Sequence, residues 1–139
     1  MSADSVQEIF ARPQSRCIVC GPDNPRGLKL KFATDDDGGV SAEWETSIEF
    51  EGYNGVLHGG IISLLLDEAM AKAVIARDWL AMTVELKTRY RHHVTTGERL
   101  RIEGRVVERR KRRILTEASV CTVGGEERAR ATGIFLAVD

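Results

Sequence analysis

The spacing of apolar residues divides the chain into three regimes. Over residues 28–33 (LKLKFA) and 40–45 (VSAEWE) apolar and polar positions alternate. A period of two marks half-buried strands, and it directs Trp44 inward. The intervening DDDGG at 35–39 has the composition of a hairpin turn. Over residues 59–77 the apolar positions, among them Ile61, Leu65, Leu66, Met70 and Val74, lie nearly all the way round a helix. Such a helix is buried on most sides. Beyond it the period returns to two over residues 82–90, 100–108, 114–123 and 126–138, broken by TTGE, RRKRR and Gly124-Gly125. Long strands joined by short connections predict an antiparallel meander.

The predicted order is therefore two strands, one buried helix and four strands, an α+β domain. A helix that is apolar all round needs a sheet curled about it or a second subunit to close it. At 139 residues the chain has material for one core. The expected division is an arm over residues 1–16 and a single domain over 17–139. In the arm, Ser5 and Glu8 have the spacing of a capping box.

Charge and cysteine content narrow the function classes. A net charge of −1 provides no overall field for nucleic acid or a membrane. No apolar run spans a bilayer, because the long helix carries Asp67, Glu68 and Lys72. The first residues lack the basic and apolar regions of a signal peptide, and the cysteine count of three is odd. Free thiols in a cytoplasmic setting are the expectation. Cys17 and Cys20 form a CxxC, but a structural zinc site needs two further ligands, and only Cys121 and three histidines remain. No metal and no cofactor are expected, and the pair is read as thiols in a tight turn.

The chemistry gathers in residues 52–77, GYNGVLHGGIISLLLDEAMAKAVIAR. Two adjacent carboxylates, Asp67 and Glu68, stand in an oily helix, which is costly unless they are paired or used. The turn before the helix carries His58, Gly59 and Gly60. A helix start presents unpaired N–H groups backed by a partial positive charge, and glycine lets a ligand approach them closely.

The element order, HGG at 58–60 with Asp67 nine residues after the histidine, and TVELKTRY at 83–90 together resemble the hotdog superfamily. The likeness is to acyl-CoA thioesterases of the phenylacetate-pathway type. CIVCG at 17–21 followed by Asn24-Pro25 and Gly27-Leu28 is similar to an N-terminal motif of one branch of that family. The resemblance implies a curved antiparallel sheet wrapped around one long helix, and subunits that pair sheet edges. It also implies hydrolysis of an acyl-CoA, with coenzyme A as part of the substrate. Asp67 is then general base or nucleophile, Gly59 or Gly60 N–H the oxyanion hole, and Thr83 a residue that faces the site. His58 shapes the turn or orients the thioester, Asn54 is a weaker candidate for orienting water, and Glu68 is the alternative acid. Gly60 and Asp67 stand about 10 Å apart at 1.5 Å per residue, too far to serve one carbonyl. The resemblance resolves this with a homodimer, or a pair of dimers, whose sites are shared between subunits. Arg89, Arg91 and the basic run containing Arg110, Lys111 and Arg113 are candidates for the coenzyme A phosphates. Nucleic acid is the rival use of such a run, but no aromatic stacking surface accompanies it. The competing function is a hotdog module that binds acyl-CoA as a sensor or carrier without turning it over.

Overall fold

The computed structural model describes residues 4–139; the first three residues of the expected arm lie outside them. Ser5 caps α1 (Val6–Phe10). Its hydroxyl accepts from the Glu8 N–H at 3.1 Å, and the Glu8 carboxylate accepts from the Ser5 N–H at 2.7 Å, the reciprocal pair of a capping box.

The strand expected over residues 28–33 shrinks to β1 (Ala33–Thr34). Leu28 and Leu30 are buried as their alternation requires. Lys29 between them takes a φ of 58°, and the Leu28 and Leu30 N–H groups bond the Ile18 and Val19 carbonyls at 2.9 Å. The segment thus clips onto the CxxC loop, and of its residues only Ala33 joins the sheet, with Thr34 following it.

The remaining strands are β2 (Val40–Glu45), β3 (Ala81–Tyr90), β4 (Arg99–Arg110), β5 (Arg113–Thr122) and β6 (Glu127–Ala137). They pair antiparallel in the order β1-β2-β4-β5-β6-β3. The predicted four-strand meander therefore holds only for β4-β5-β6. TTGE is not a hairpin: β3 pairs β6 at one edge, while β4 lies between β2 and β5. Residues 91–98 cross between them, anchored by the fully buried Val94, whose carbonyl accepts from the Leu57 N–H at 2.9 Å. Alternation shows which face a residue takes, not which strand lies beside it.

α2 (Gly59–Ile75) crosses the sheet and stops two residues short of the expected end. Asp78 then turns the chain with a φ of 60°. Leu65, Leu66 and Met70 pack with Leu100, Ile102, Ile114 and Phe135 in one core. Gly104 in β4 sets the depth of the helix: a Cβ there would lie 2.3 Å from the Ala69 carbonyl oxygen. Register shifts leave an extra residue in β3, β4 and β6 and bend the strands. This is the hotdog fold, a curved sheet around one central helix.

Candidate active site

His58 is the N-cap of α2, and its Nδ1 accepts from the Gly60 N–H at 2.8 Å. Of the two glycines named as oxyanion donors, Gly60 is thus engaged by the cap. The Gly59 N–H has no acceptor among the described residues. An accepting Nδ1 places the proton of a neutral imidazole on Nε2, so His58 keeps one donor of its own. Tyr90, at the end of β3, holds the first helical turn from outside. Its hydroxyl donates to the Gly59 carbonyl at 3.0 Å and meets the Ser63 hydroxyl at 2.5 Å.

A cavity of about 720 Å³ opens here, lined by Tyr53, Leu57, His58, Gly59, Ile62 and Tyr90, with Arg91, His92 and His93 at its polar side. Its apolar walls suit an acyl or aryl group, and its helix-start donors suit a carbonyl oxygen. Asn54 is exposed in the turn before the helix and lies outside this lining.

Asp67 stands two turns further along α2, partly buried. Its Oδ1 accepts from the Thr83 hydroxyl at 2.7 Å. Thr83 sits where the pairing of β3 with β6 slips, between Thr83 and Glu85, and bulges of this kind re-aim side chains beside sites. Asp67 and Thr83 are therefore brought together. His58, Gly59 and Gly60 are brought together at the other end of the helix. Within one chain the two groups stay apart by the helical rise between them, about 10 Å.

Glu68 faces a different neighbour. Its Oε2 accepts from the Cys17 thiol at 3.3 Å. Cys20 lies beside it, and burial first, then the Glu68 carboxylate, pushes the Cys20 thiol up to about 12. All three cysteines are free.

The basic candidates divide into two groups. Arg89 is paired across the sheet with Arg130, and the two, with Lys87, line a shallow cavity of about 510 Å³ beside Tyr90. Arg91 forms an ion pair with Glu127 at 2.5 Å. Arg110, Lys111 and Arg113 lie at the hairpin between β4 and β5, where Arg113 pairs Leu136. That is the Ala81 end of β3, whereas His58 sits at the Tyr90 end, so the hairpin and the turn do not converge within one chain. Sequence reasoning did not single out Tyr90 and Ser63, which meet at the helix start, or Lys87 and Arg130, which line the shallow cavity. Ser63 carried one signal: it follows Gly59 by four residues, on the same helix face.

The chain belongs to the thioesterase superfamily, whose family model matches residues 54–129, more than half of the 139. A crystal structure of another thioesterase superfamily protein is 29% identical, with a TM-score of 0.81. That alignment covers 85% of this chain and 61% of the other, so the chain spans about three fifths of that relative's length. A Streptococcus mutans protein solved bound to acetyl-CoA is 24% identical, with a TM-score of 0.73 over 78% of this chain and 88% of its own. A hypothetical thioesterase from Streptococcus pneumoniae, solved with coenzyme A, is 19% identical, with the same TM-score over 78% and 85%. No curated protein matches the chain. No helix among the described residues is long and apolar enough to cross a membrane.

Proposed function

We propose that the protein is an acyl-CoA thioesterase that hydrolyses the thioester to a free acid and coenzyme A, with Asp67 as general base or nucleophile. The observation that carries this reading is the Asp67 carboxylate, fixed through one oxygen by Thr83 at 2.7 Å and partly exposed on the central helix. That bond leaves Oδ2 for the attacking water, or for the carbonyl carbon itself. The carbonyl oxygen is received by the Gly59 N–H at the positive end of the helix, with the His58 imidazole beside it. As the tetrahedral intermediate collapses, the C–S bond breaks and the thiolate leaves and takes up a proton.

In this reading the two halves of one site come from two chains, because the separation along α2 is too long for one carbonyl. β3 supports such pairing. It is a ten-residue edge strand, with Val84 53% and Met82 37% exposed. A long, partly apolar edge is a surface proteins normally cover. Membership in the thioesterase superfamily supports the reaction class, and two neighbours in fold bind coenzyme A or its acetyl ester. Lys87, Arg89 and Arg130 offer the phosphates a cationic strip beside the cavity.

The test is thiol release from short, long and aromatic acyl-CoAs, with Asp67→Asn as the diagnostic variant. The expected result is turnover by the wild type and a loss of about a thousandfold or more in the variant, with the dimer intact by light scattering. Tight binding without turnover across the panel would establish a binding module instead. Full activity in Asp67→Asn would move the acid role to Glu68.

A further inference from the structure

We propose that Cys17, Cys20 and Glu68 form a binding site for one Zn²⁺ ion, which ties the N-terminal segment to the middle of α2. The two sulfurs and a Glu68 carboxylate oxygen all lie within 4.8 Å of one another, each on a partly buried residue. Tetrahedral zinc with Zn–S of about 2.3 Å and Zn–O of about 2.0 Å sets its ligands roughly 3.5–3.8 Å apart. The Cys17 sulfur and Glu68 oxygen already stand at 3.3 Å. Small side-chain rotations therefore bring the set to bonding geometry. It is the one cluster of three such ligands among the described residues.

Three further observations fit an ion better than a pair of idle thiols. The first is the loop itself. The Val19 N–H points at the Cys17 sulfur at 3.4 Å, a backbone donor of the kind that stabilises a thiolate ligand. Gly21, directly after the second cysteine, is irreplaceable sterically: a Cβ there would lie 2.3 Å from the Cys17 nitrogen and 2.6 Å from the Ser15 oxygen. The loop closes on itself and presents both sulfurs to the helix. The second is charge. Two thiolates and a carboxylate carry −3, and a dication leaves −1. Lys72, one turn beyond Glu68 and beside Cys20, brings the group to neutrality. The third is a fourth ligand position. Gln14 Oε1 lies 3.7 Å from the Cys20 sulfur and accepts from Lys72 at 2.7 Å, next to where a water or that amide oxygen would complete the tetrahedron. A Cys17–Cys20 disulfide, the other use of a CxxC, is neutral and would leave Glu68 facing sulfurs that need no anion. Soft thiolate with a harder oxygen favours zinc among common divalent ions.

Binding forms two Zn–S bonds and one Zn–O bond, and the two thiols release their protons to solvent. The test uses the full chain, reduced and stripped with a chelator, then titrated with Zn²⁺ alone and separately with Co²⁺ as a spectroscopic stand-in. One equivalent of zinc per chain is expected, together with a sulfur-to-cobalt charge-transfer band that zinc abolishes. At free zinc about a hundredfold above its Kd, the wild-type Tm should rise by roughly 10 °C. Cys17→Ser should remove the band, and Glu68→Gln should weaken zinc at least tenfold. The wild-type titration stands even where a variant misfolds. No uptake of stoichiometric zinc, uptake unchanged in Glu68→Gln, or disulfide formation with zinc present would each overturn the assignment.

Discussion

Replacing Gly104 by alanine tests how the central helix is seated. The added Cβ would fall 2.3 Å from the Ala69 carbonyl oxygen, 2.5 Å from its carbon and 3.0 Å from its Cβ. The closest approach is more than 1 Å inside the ~3.5 Å optimum of a non-bonded pair. The first two partners are backbone atoms, so no rotamer change relieves the overlap. Either α2 lifts or β4 bends, and overpacking of this kind costs about 3 kcal/mol, the upper end of the usual range. For a domain of this size that is a fall in Tm of about 12 °C. Asp67 lies two residues from Ala69, so the lift also stretches its 2.7 Å bond to Thr83. Turnover should fall roughly 10- to 100-fold, since small displacements at a reacting centre have large effects. Thermal denaturation followed by circular dichroism reads the first effect and thiol release the second. Gly124→Ala is the control, because its Cβ meets only the Thr122 hydroxyl at 3.8 Å. A Gly104→Ala protein melting within about 2 °C of wild type would refute the argument.

Thr83→Val removes the donor to Asp67 while keeping shape. A hydrogen bond to a charged group contributes about 1.5–3 kcal/mol, so kcat should drop roughly 10- to 100-fold with KM little changed, and an unchanged kcat would count against an orienting role. Tyr90→Phe breaks the bonds to Gly59 and Ser63 and should lower stability by about 1 kcal/mol. Because the two hydroxyls act as one unit, a Tyr90→Phe/Ser63→Ala double variant should lose less than the sum of the single losses, as read by urea denaturation. The Arg128 guanidinium, hydrogen-bonded to both Glu98 oxygens at 2.9 Å, holds that carboxyl below its ordinary value. Its stabilisation is therefore present above the unfolded pKa of about 4.3 and is lost as pH falls through the lower folded value. Glu98→Gln should be about 2 kcal/mol less stable than wild type at pH 7, and a gap that stays constant below about pH 4 would contradict the assignment.

The elements of this fold were legible from residue spacing because burial dictates period. Trp44 is buried, as alternation placed it, and Leu100, Ile102 and Phe135 are buried on the strands that spacing marked out. What spacing left open was adjacency. Nothing in 82–90 distinguishes a strand beside β4 from one beside β6, since both neighbours satisfy the same alternation. Lys29 was illegible for another reason: its left-handed backbone serves two hydrogen bonds to Ile18 and Val19, and lysine carries no hint of positive φ. In the candidate site, His58, Asp67 and Thr83 stood out by residue type and by resemblance. The contacts of Glu68 did not, because Cys17 lies 51 residues away in the chain and no local pattern spans such a loop. Tyr90 was hidden inside a strand that looked ordinary, and its partner Gly59 has no side chain to advertise the contact.

Asp67 and Glu68 are joined by one peptide bond and reach different neighbours, Thr83 for the first and Cys17 for the second. Side chains project about 5–6 Å from a helix axis, so turning α2 by 10° shifts each carboxylate by about 1 Å. Neither can be adjusted by that motion without the other. The helix segment that carries both is rigid, so the two contacts move together. A substitution in the loop around Cys17 that turned α2 would therefore also move Asp67 against Thr83.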